Sequence, residues 1–215
     1  MGAVLAMNAV LRIAVLLLAA AMLAGCGTLG ARSKTGPAPD PRAGLTRAAL
    51  DAAGKPVLYV ALPKRNAASL LGLMGRNGTV LTWQTPDNIS LAFDEGVLTA
   101  TRGLGFDLMS AETTQTRRML AGAAMRDAYP RLHGYLDGEH RHRFKSYLCR
   151  RAEARHETLT LVGATREVTR ITETCTAPGV EFTNLYWRGA DGVIWKSRQW
   201  AGHETGLVET ELLRR

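Results

Sequence analysis

Short apolar runs separated by turn signals recur from Val57 to the end of the chain, and this rhythm limits the fold more than any other feature. Ile89, Leu91 and Phe93 alternate with Ser90, Ala92 and Asp94, the period of two that puts alternate side chains on one face of a strand. Leu81 and Trp83 share a face in the same way. Asn77-Gly78 stands before them and predicts a type I′ hairpin turn, which needs positive φ at both central residues. Pro86-Asp87-Asn88, Asp94-Glu95-Gly96, Gly163-Ala164, Pro178-Gly179, Ala190-Asp191-Gly192 and Ala201–Thr205 read as further turns. Between them, strands are expected at Val57–Leu62, Val97–Arg102, His140–Arg150, Glu157–Val162, Thr165–Thr176, Val180–Arg188, Val193–Trp200 and Gly206–Leu213. The pattern changes at Ser110–Ala128, where Thr113, Thr114 or Thr116 caps a helix near Thr113–Ala128 that Tyr129-Pro130 stops. Leu45–Ala53 suits a short Ala-rich helix.

About ten strands joined by short loops predict an all-β antiparallel meander, closed into a barrel-like or two-sheet domain. One short helix lies between its two strand blocks. Closure removes the exposed edges of such a sheet. Strands alternating with helices are missing, which excludes a parallel α/β fold.

The first 25 residues hold a single charge, Arg12, followed by the almost unbroken apolar run Ile13–Leu23. A run of this length behind a positive charge is a signal segment, too short to remain as a membrane-spanning helix. Translation from Met7 rather than Met1 would leave a shorter leader. Leu23-Ala24-Gly25-Cys26 resembles a bacterial lipobox, in which the cysteine thiol receives diacylglycerol and the signal is cut just before it. Residues 1–25 are thus expected to be a lipoprotein signal peptide. The mature chain would begin at a triacylated Cys26, with palmitate among its acyl groups, as a lipid-anchored protein. Gly27 after the cysteine favours the outer membrane, on its periplasmic face. Residues 26–44, with Pro37, Pro39 and Pro41, read as a lipidated flexible tether, and residues 45–215 as a single domain.

Export changes the meaning of the composition. The chain has 27 Lys+Arg against 19 Asp+Glu, a basic balance that often means nucleic acid. In the periplasm, anionic headgroups and acidic polysaccharides are the available partners instead. Setting Cys26 aside leaves Cys149 and Cys175, an even pair in an oxidising compartment, which predicts a disulfide. Two buried free thiols are the plainer alternative. If Arg151–His156 is a turn, the two cysteine-bearing strands run in the same direction with one strand between them. No CxxC is present, and no cofactor or metal is implied.

Catalytic signatures such as GxSxG, HExxH, GxGxxG and the P-loop are absent. Gly103 and Gly105 fit a bulge or a strand exit better than a phosphate cradle. Asp94 and Glu95 form the nearest approach to a carboxylate pair, yet neighbours in a turn normally point apart into solvent, and Asp107 and Glu112 have no partner in the sequence. His140 and His142 share a strand face and, with His133 or His156, offer zinc ligands. The arginines beside them oppose a cation, so a solvated face is the plainer reading. Trp187, Trp195, Arg198 and Trp200, together with Tyr186, Arg188 and Lys196, bracket one hairpin. Rings and cations so interleaved suit an acidic glycan or a partner protein, whereas filling the interior is the ordinary role of such rings.

Thr82–Thr85, Glu95–Met109, Phe182–Trp187 and Gly192–Trp200 resemble the YjbF/GfcB family of group 4 capsule polysaccharide lipoproteins, and the lipobox and cysteine pair fit the same family. The resemblance implies a lipid-attached, barrel-like β domain with a role in producing or exporting an exopolysaccharide or capsule. It implies no catalytic residues. The expected function is therefore non-enzymatic assistance to polysaccharide export, through binding of glycan or a secretion partner. The alternative is a periplasmic enzyme that modifies the polysaccharide.

Overall fold

The computed structural model describes residues 39–136, 139 and 141–215. Cys26, the signal segment and most of the tether lie outside the described residues. Ala38–Arg215 forms one compact unit. Twelve antiparallel strands make a single sheet in the order β5-β4-β3-β2-β1-β12-β11-β10-β9-β8-β7-β6, curled into a nearly closed barrel. The strands are β1 (Val57–Leu62), β2 (Ala67–Asn77), β3 (Val80–Gln84), β4 (Ser90–Asp94), β5 (Val97–Arg102) and β6 (Leu108–Ala111), followed by β7 (Tyr129–Leu136), β8 (His142–Leu161), β9 (Ala164–Ala177), β10 (Val180–Gly189), β11 (Ile194–Gly202) and β12 (Gly206–Arg214).

Two short helices accompany the sheet. In α1 (Arg47–Ala53) the Thr46 hydroxyl accepts from the amide of Ala49, and Gly54 at φ +68 ends the helix. In α2 (Thr114–Leu120) the helix stops well short of Ala128, where Gly122 at φ +77 turns the chain away. Thr113 stands at its start without capping it, because its hydroxyl donates instead to Asp94, 2.7 Å away.

Three further expectations are corrected. The first hairpin turn holds Gly78 and Thr79, with Asn77 still in the ladder opposite Val80. Only Gly78 takes positive φ there, the arrangement of a type II′ turn. Arg151–His156 is no turn: β8 runs through it, absorbing Ala152 at an irregularity between Arg151 and Glu153. Cys149 and Cys175 therefore face each other on adjacent antiparallel strands, disulfide-bonded with Cα atoms 4.0 Å apart, close to the narrow pairs of an antiparallel ladder. The strand count rises from about ten to twelve because β2, β6 and β7 are added while the two strands expected on either side of Arg151–His156 merge into β8. Pro130 sits inside β7 and is tolerated because β6 pairs β7 only over His133–Tyr135.

The seam between β5 and β6 is held by side chains. Thr99 donates to the carbonyl of Ala111, and Arg102 donates to those of Leu108 and Met109. Gly103 and Gly105, both at positive φ, form the strand exit expected for them. The Asp107 carboxylate accepts there from the amides of Gly103 and Leu104 and from the Thr101 hydroxyl. Across the interior, Gln199 on β11 accepts from the amide of Leu98 at 2.8 Å and donates to the carbonyl of Gly96 at 2.9 Å. This bridge separates two interior clusters. Leu58, Val60, Leu71, Trp83, Leu91 and Phe93 belong to one, and Tyr129, Tyr147, Ile171, Phe182, Tyr186 and the disulfide to the other.

A third cluster lies on the opposite face of β1. There Tyr59 packs with Leu50 of α1, Leu161 at the tip of the β8–β9 hairpin and Leu213 of β12. The last tether residues are pinned here. The Arg42 guanidinium stacks 3.9 Å above the Tyr59 ring and bonds the carboxylate of Glu211.

Candidate binding site at the barrel mouth

One end of the barrel opens into a cleft of about 550 Å³. Three turns and the start of β1 surround it. Leu58, Leu73, Leu81, Trp83, Phe93 and Leu212 form the apolar part of its wall, beside polar and charged lining residues. Each belongs to or packs on the first interior cluster, so the cleft continues the core outward and is lined by the inward half of each alternating strand.

Charge is confined to the rim, at Arg76, Glu95, Arg188, Asp191 and Arg215. The two carboxylates are already engaged. Glu95 accepts from Arg117, the pair lying 2.8 Å apart at their closest, and Asp191 accepts from the amide of Val193 and pairs with Arg215. The side chains of Arg76 and Arg188 have no carboxylate or hydrogen-bond partner among the described residues. The rim thus presents two uncompensated guanidiniums above an apolar wall.

Asp94 and Glu95 do not point apart. Both turn onto Arg117 of α2, and Asp94 also accepts from Thr79 at 2.6 Å and Thr113 at 2.7 Å. Burial alone would raise the Asp94 carboxyl, but these hydroxyls and the Arg117 charge hold it below the usual carboxylate range. The pair fixes the helix to the β4–β5 turn. Glu95 and Gly96 both take positive φ in that turn. A Cβ on Gly96 would stand 2.6 Å from Ile194, so this close approach requires glycine.

The second interior cluster encloses a polar network that sequence reading missed. Glu173 is fully buried and Arg131 almost so. The Glu173 carboxylate accepts from Arg131 at 3.0 Å, Tyr129 at 2.6 Å, Thr116 at 2.7 Å, Asn184 at 2.7 Å and Tyr186 at 3.1 Å. Burial raises this carboxyl, and the Arg131 charge together with the donated hydrogen bonds outweighs it, leaving a net depression. Burial, reinforced by Glu173, pushes both the Tyr129 and Tyr186 hydroxyls upward.

Arg131 donates through Nε to Nε2 of His133, which places the His133 proton on Nδ1, 2.9 Å from the Tyr135 hydroxyl. Burial and then the Arg131 charge drive His133 well below the ordinary imidazole value, so the ring is neutral. The network is buried in the second interior cluster, with Arg131, His133, Glu173 and Asn184 all but inaccessible to solvent. One signal for it was legible. Glu173 falls between Ile171 and Cys175 on one face of a strand, and Arg131 falls between Tyr129 and His133.

The structure does not gather the histidines. His133 is interior, His142 is exposed and stacks on Phe144, and His156 is exposed further along β8. His140 lies outside the described residues. Cys149, Cys175 and Glu173 come within 4.8 Å of one another, but the disulfide consumes both thiols. The aromatic candidates are dispersed as well. Trp187 donates to Glu157 and lies under Lys196, while Trp195 is covered by the Arg166 guanidinium at 3.7 Å. Arg198 is exposed and pairs with Glu209, and Trp200 stacks on Phe182 at 5.3 Å in the second cluster.

The family described as Group 4 capsule polysaccharide lipoprotein gfcB, YjbF matches residues 18–213. Among solved structures, the hypothetical lipoprotein YmcC from Escherichia coli (K12) superposes with a TM-score of 0.66 at 23% identity, covering 80% of this chain and 89% of that one. That likeness shows the fold. Among curated proteins, none matches.

Proposed function

This chain belongs to the YjbF/GfcB family of group 4 capsule polysaccharide lipoproteins, and from that premise we propose a non-enzymatic binding role at the barrel mouth. Membership places the chain among envelope lipoproteins associated with capsule production. On our reading, Cys26 anchors it to the periplasmic face of the outer membrane, and the body assists polysaccharide export by binding an acidic polymer or a secretion partner.

The observation that carries this reading is the pairing of an apolar cleft with two uncompensated rim guanidiniums, Arg76 and Arg188. A binding pocket needs a largely apolar wall and a few placed polar groups. Acid–base catalysis needs convergent titratable groups in the cleft, and the two carboxylates here are held by Arg117, by Arg215 and by a turn amide. The outer wall suits stacking on sugar rings less well, because cations already cover a face of both Trp187 and Trp195.

The test is to incubate the body with the strain's purified exopolysaccharide and to measure binding and chain length together. Unaltered polymer, bound at least about tenfold more weakly after Arg76→Ala with Arg188→Ala, is the expected result, since hydrogen bonds to charged groups are each worth about 1.5–3 kcal/mol. Loss with Trp195→Ala or Arg198→Ala instead would move the contact to the outer wall. Shortened or chemically altered polymer would establish the enzymatic alternative. No binding would leave a protein partner.

A further inference from the structure

We propose that the ligand of the mouth cleft is an anionic amphiphile, with an aliphatic chain inside the barrel and a phosphate or carboxylate head held by Arg76 and Arg188. This deepens the reading above and rests on its claim that the mouth is the binding site. The argument comes from how polarity is distributed along the cleft. Below the rim, the side chains are Leu58, Leu73, Leu81, Trp83, Phe93 and Leu212. The hydroxyls that reach the lining, Thr79 and Thr210, are committed to Asp94 at 2.6 Å and Ser197 at 2.7 Å.

A sugar pushed below the rim would bury hydroxyls without partners, at a cost of a few kcal/mol for each group, so a polymer would engage the rim guanidiniums alone. A methylene chain meets no such penalty and gains from every carbon removed from water. A volume of about 550 Å³ lies within the range of cavities that hold a small ligand. The charge is equally selective. Arg76 and Arg188 stand at the rim without carboxylate partners among the described residues, so an anion is favoured where the chain emerges. Planar guanidiniums suit phosphate and carboxylate geometry. For an envelope protein of a capsule polysaccharide family, an amphiphile of this kind is the chemistry of a lipid-bearing end rather than of a polymer interior.

Ala38–Arg215 contains the whole sheet, both helices and the disulfide, so the chain from Gly27 onward retains the cleft and lacks the acyl groups expected at Cys26. Titration calorimetry with n-alkyl phosphates below their micelle concentrations should show affinity rising about fourfold per methylene, the equivalent of about 0.8 kcal/mol, until the chain outgrows the cleft. Fatty acids of matched length form a second arm that separates a carboxylate head from a phosphate head. An alkyl maltoside of the same length should bind about tenfold more weakly than the better anion. Leu73→Trp, which fills the cleft from a half-buried position, should abolish the methylene dependence, whereas Arg76→Ala with Arg188→Ala should keep the slope and remove the preference for an anion.

An affinity indifferent to chain length, or a slope unchanged by Leu73→Trp, would overturn the amphiphile. Polymer capture that depends on Arg76 and Arg188 without a methylene slope would overturn it too, yet leave the polymer reading standing. A slope without polymer capture would support the amphiphile and remove the polymer reading.

Discussion

The two halves of the barrel interior are built on opposite principles. On the side of β1–β5, Leu58, Leu71, Trp83, Leu91, Phe93 and Leu98 pack as an apolar mass that grades without a boundary into the mouth cleft. On the side of β7–β10, a buried arginine and glutamate are wrapped in hydroxyls, an amide and an imidazole, beside a disulfide. Apolar packing is non-directional and tolerates a vacancy at its outer end. A charged network tolerates none, because every removed partner leaves another buried group unsatisfied. The molecule therefore places its opening in the forgiving half and its rigid register in the demanding one, with Gln199 bridging the boundary.

The contrast breaks most sharply at Arg131. Arg131→Met leaves the Glu173 charge buried and alone, which should cost about 3–5 kcal/mol in urea denaturation. Adding Glu173→Leu should recover only part of that loss, because Tyr129, Thr116 and Asn184 would then lack their shared acceptor. Replacing Cys149 and Cys175 together by Ala should cost about 3 kcal/mol in the chain-entropy model. Thiol labelling of the denatured, unreduced wild-type body should find no free cysteine among these two.

The demanding half should also respond to pH. His133 is held neutral, with its folded pKa below the unfolded value, so unfolding takes up a proton in acid. Its contribution is complete above about pH 6.5 and is lost as pH falls toward the folded value, with a slope approaching about 1.4 kcal/mol per pH unit. Denaturation midpoints between pH 7 and pH 5 should show this slope, and His133→Gln should flatten it. Glu173 acts in the same direction at lower pH: its depressed pKa gives stability present above the ordinary carboxylate value and lost below it. The smallest effect belongs to the forgiving half. Leu73→Ala only widens an existing opening and should cost about 1 kcal/mol, below the roughly 2–5 kcal/mol of Leu→Ala truncations in a closed core.

Much of this was legible from local pattern. The turns at Pro86–Asn88, Asp94–Gly96 and Pro178–Gly179, and the alternation at Ile89–Phe93, follow from backbone sterics and a strand period of two, both short-range properties. Length was less legible. Arg151–His156 carries charges that suggest a loop, yet it continues β8 because β9 offers a partner along that stretch. The helix at Thr114 ends early where Gly122 takes positive φ, and Thr113 leaves its start uncapped because its hydroxyl is drawn to Asp94. The mouth could not be read at all, because Arg76 and Arg188 become neighbours of one cleft only when the sheet curls. Trp187, Trp195 and Trp200 looked like a unit because they are close in sequence, and the pleat and the bulge between Trp187 and Arg188 separate them.

The order of strands also dictates an order of assembly. Hairpins along the meander pair residues a few positions apart and can form as soon as each is available, whereas β1 bonds to β12, joining Val57 to Arg214 and Ala61 to Glu209. That ladder spans nearly the whole domain, and distant pairings of this kind form slowly. Until the final residues arrive, β1 has β2 on one side and an open edge on the other, a template for unwanted pairing. An exported chain of this design keeps one adhesive strand from the beginning of its folding to the end, and its last nine residues of sheet are the ones that cover it.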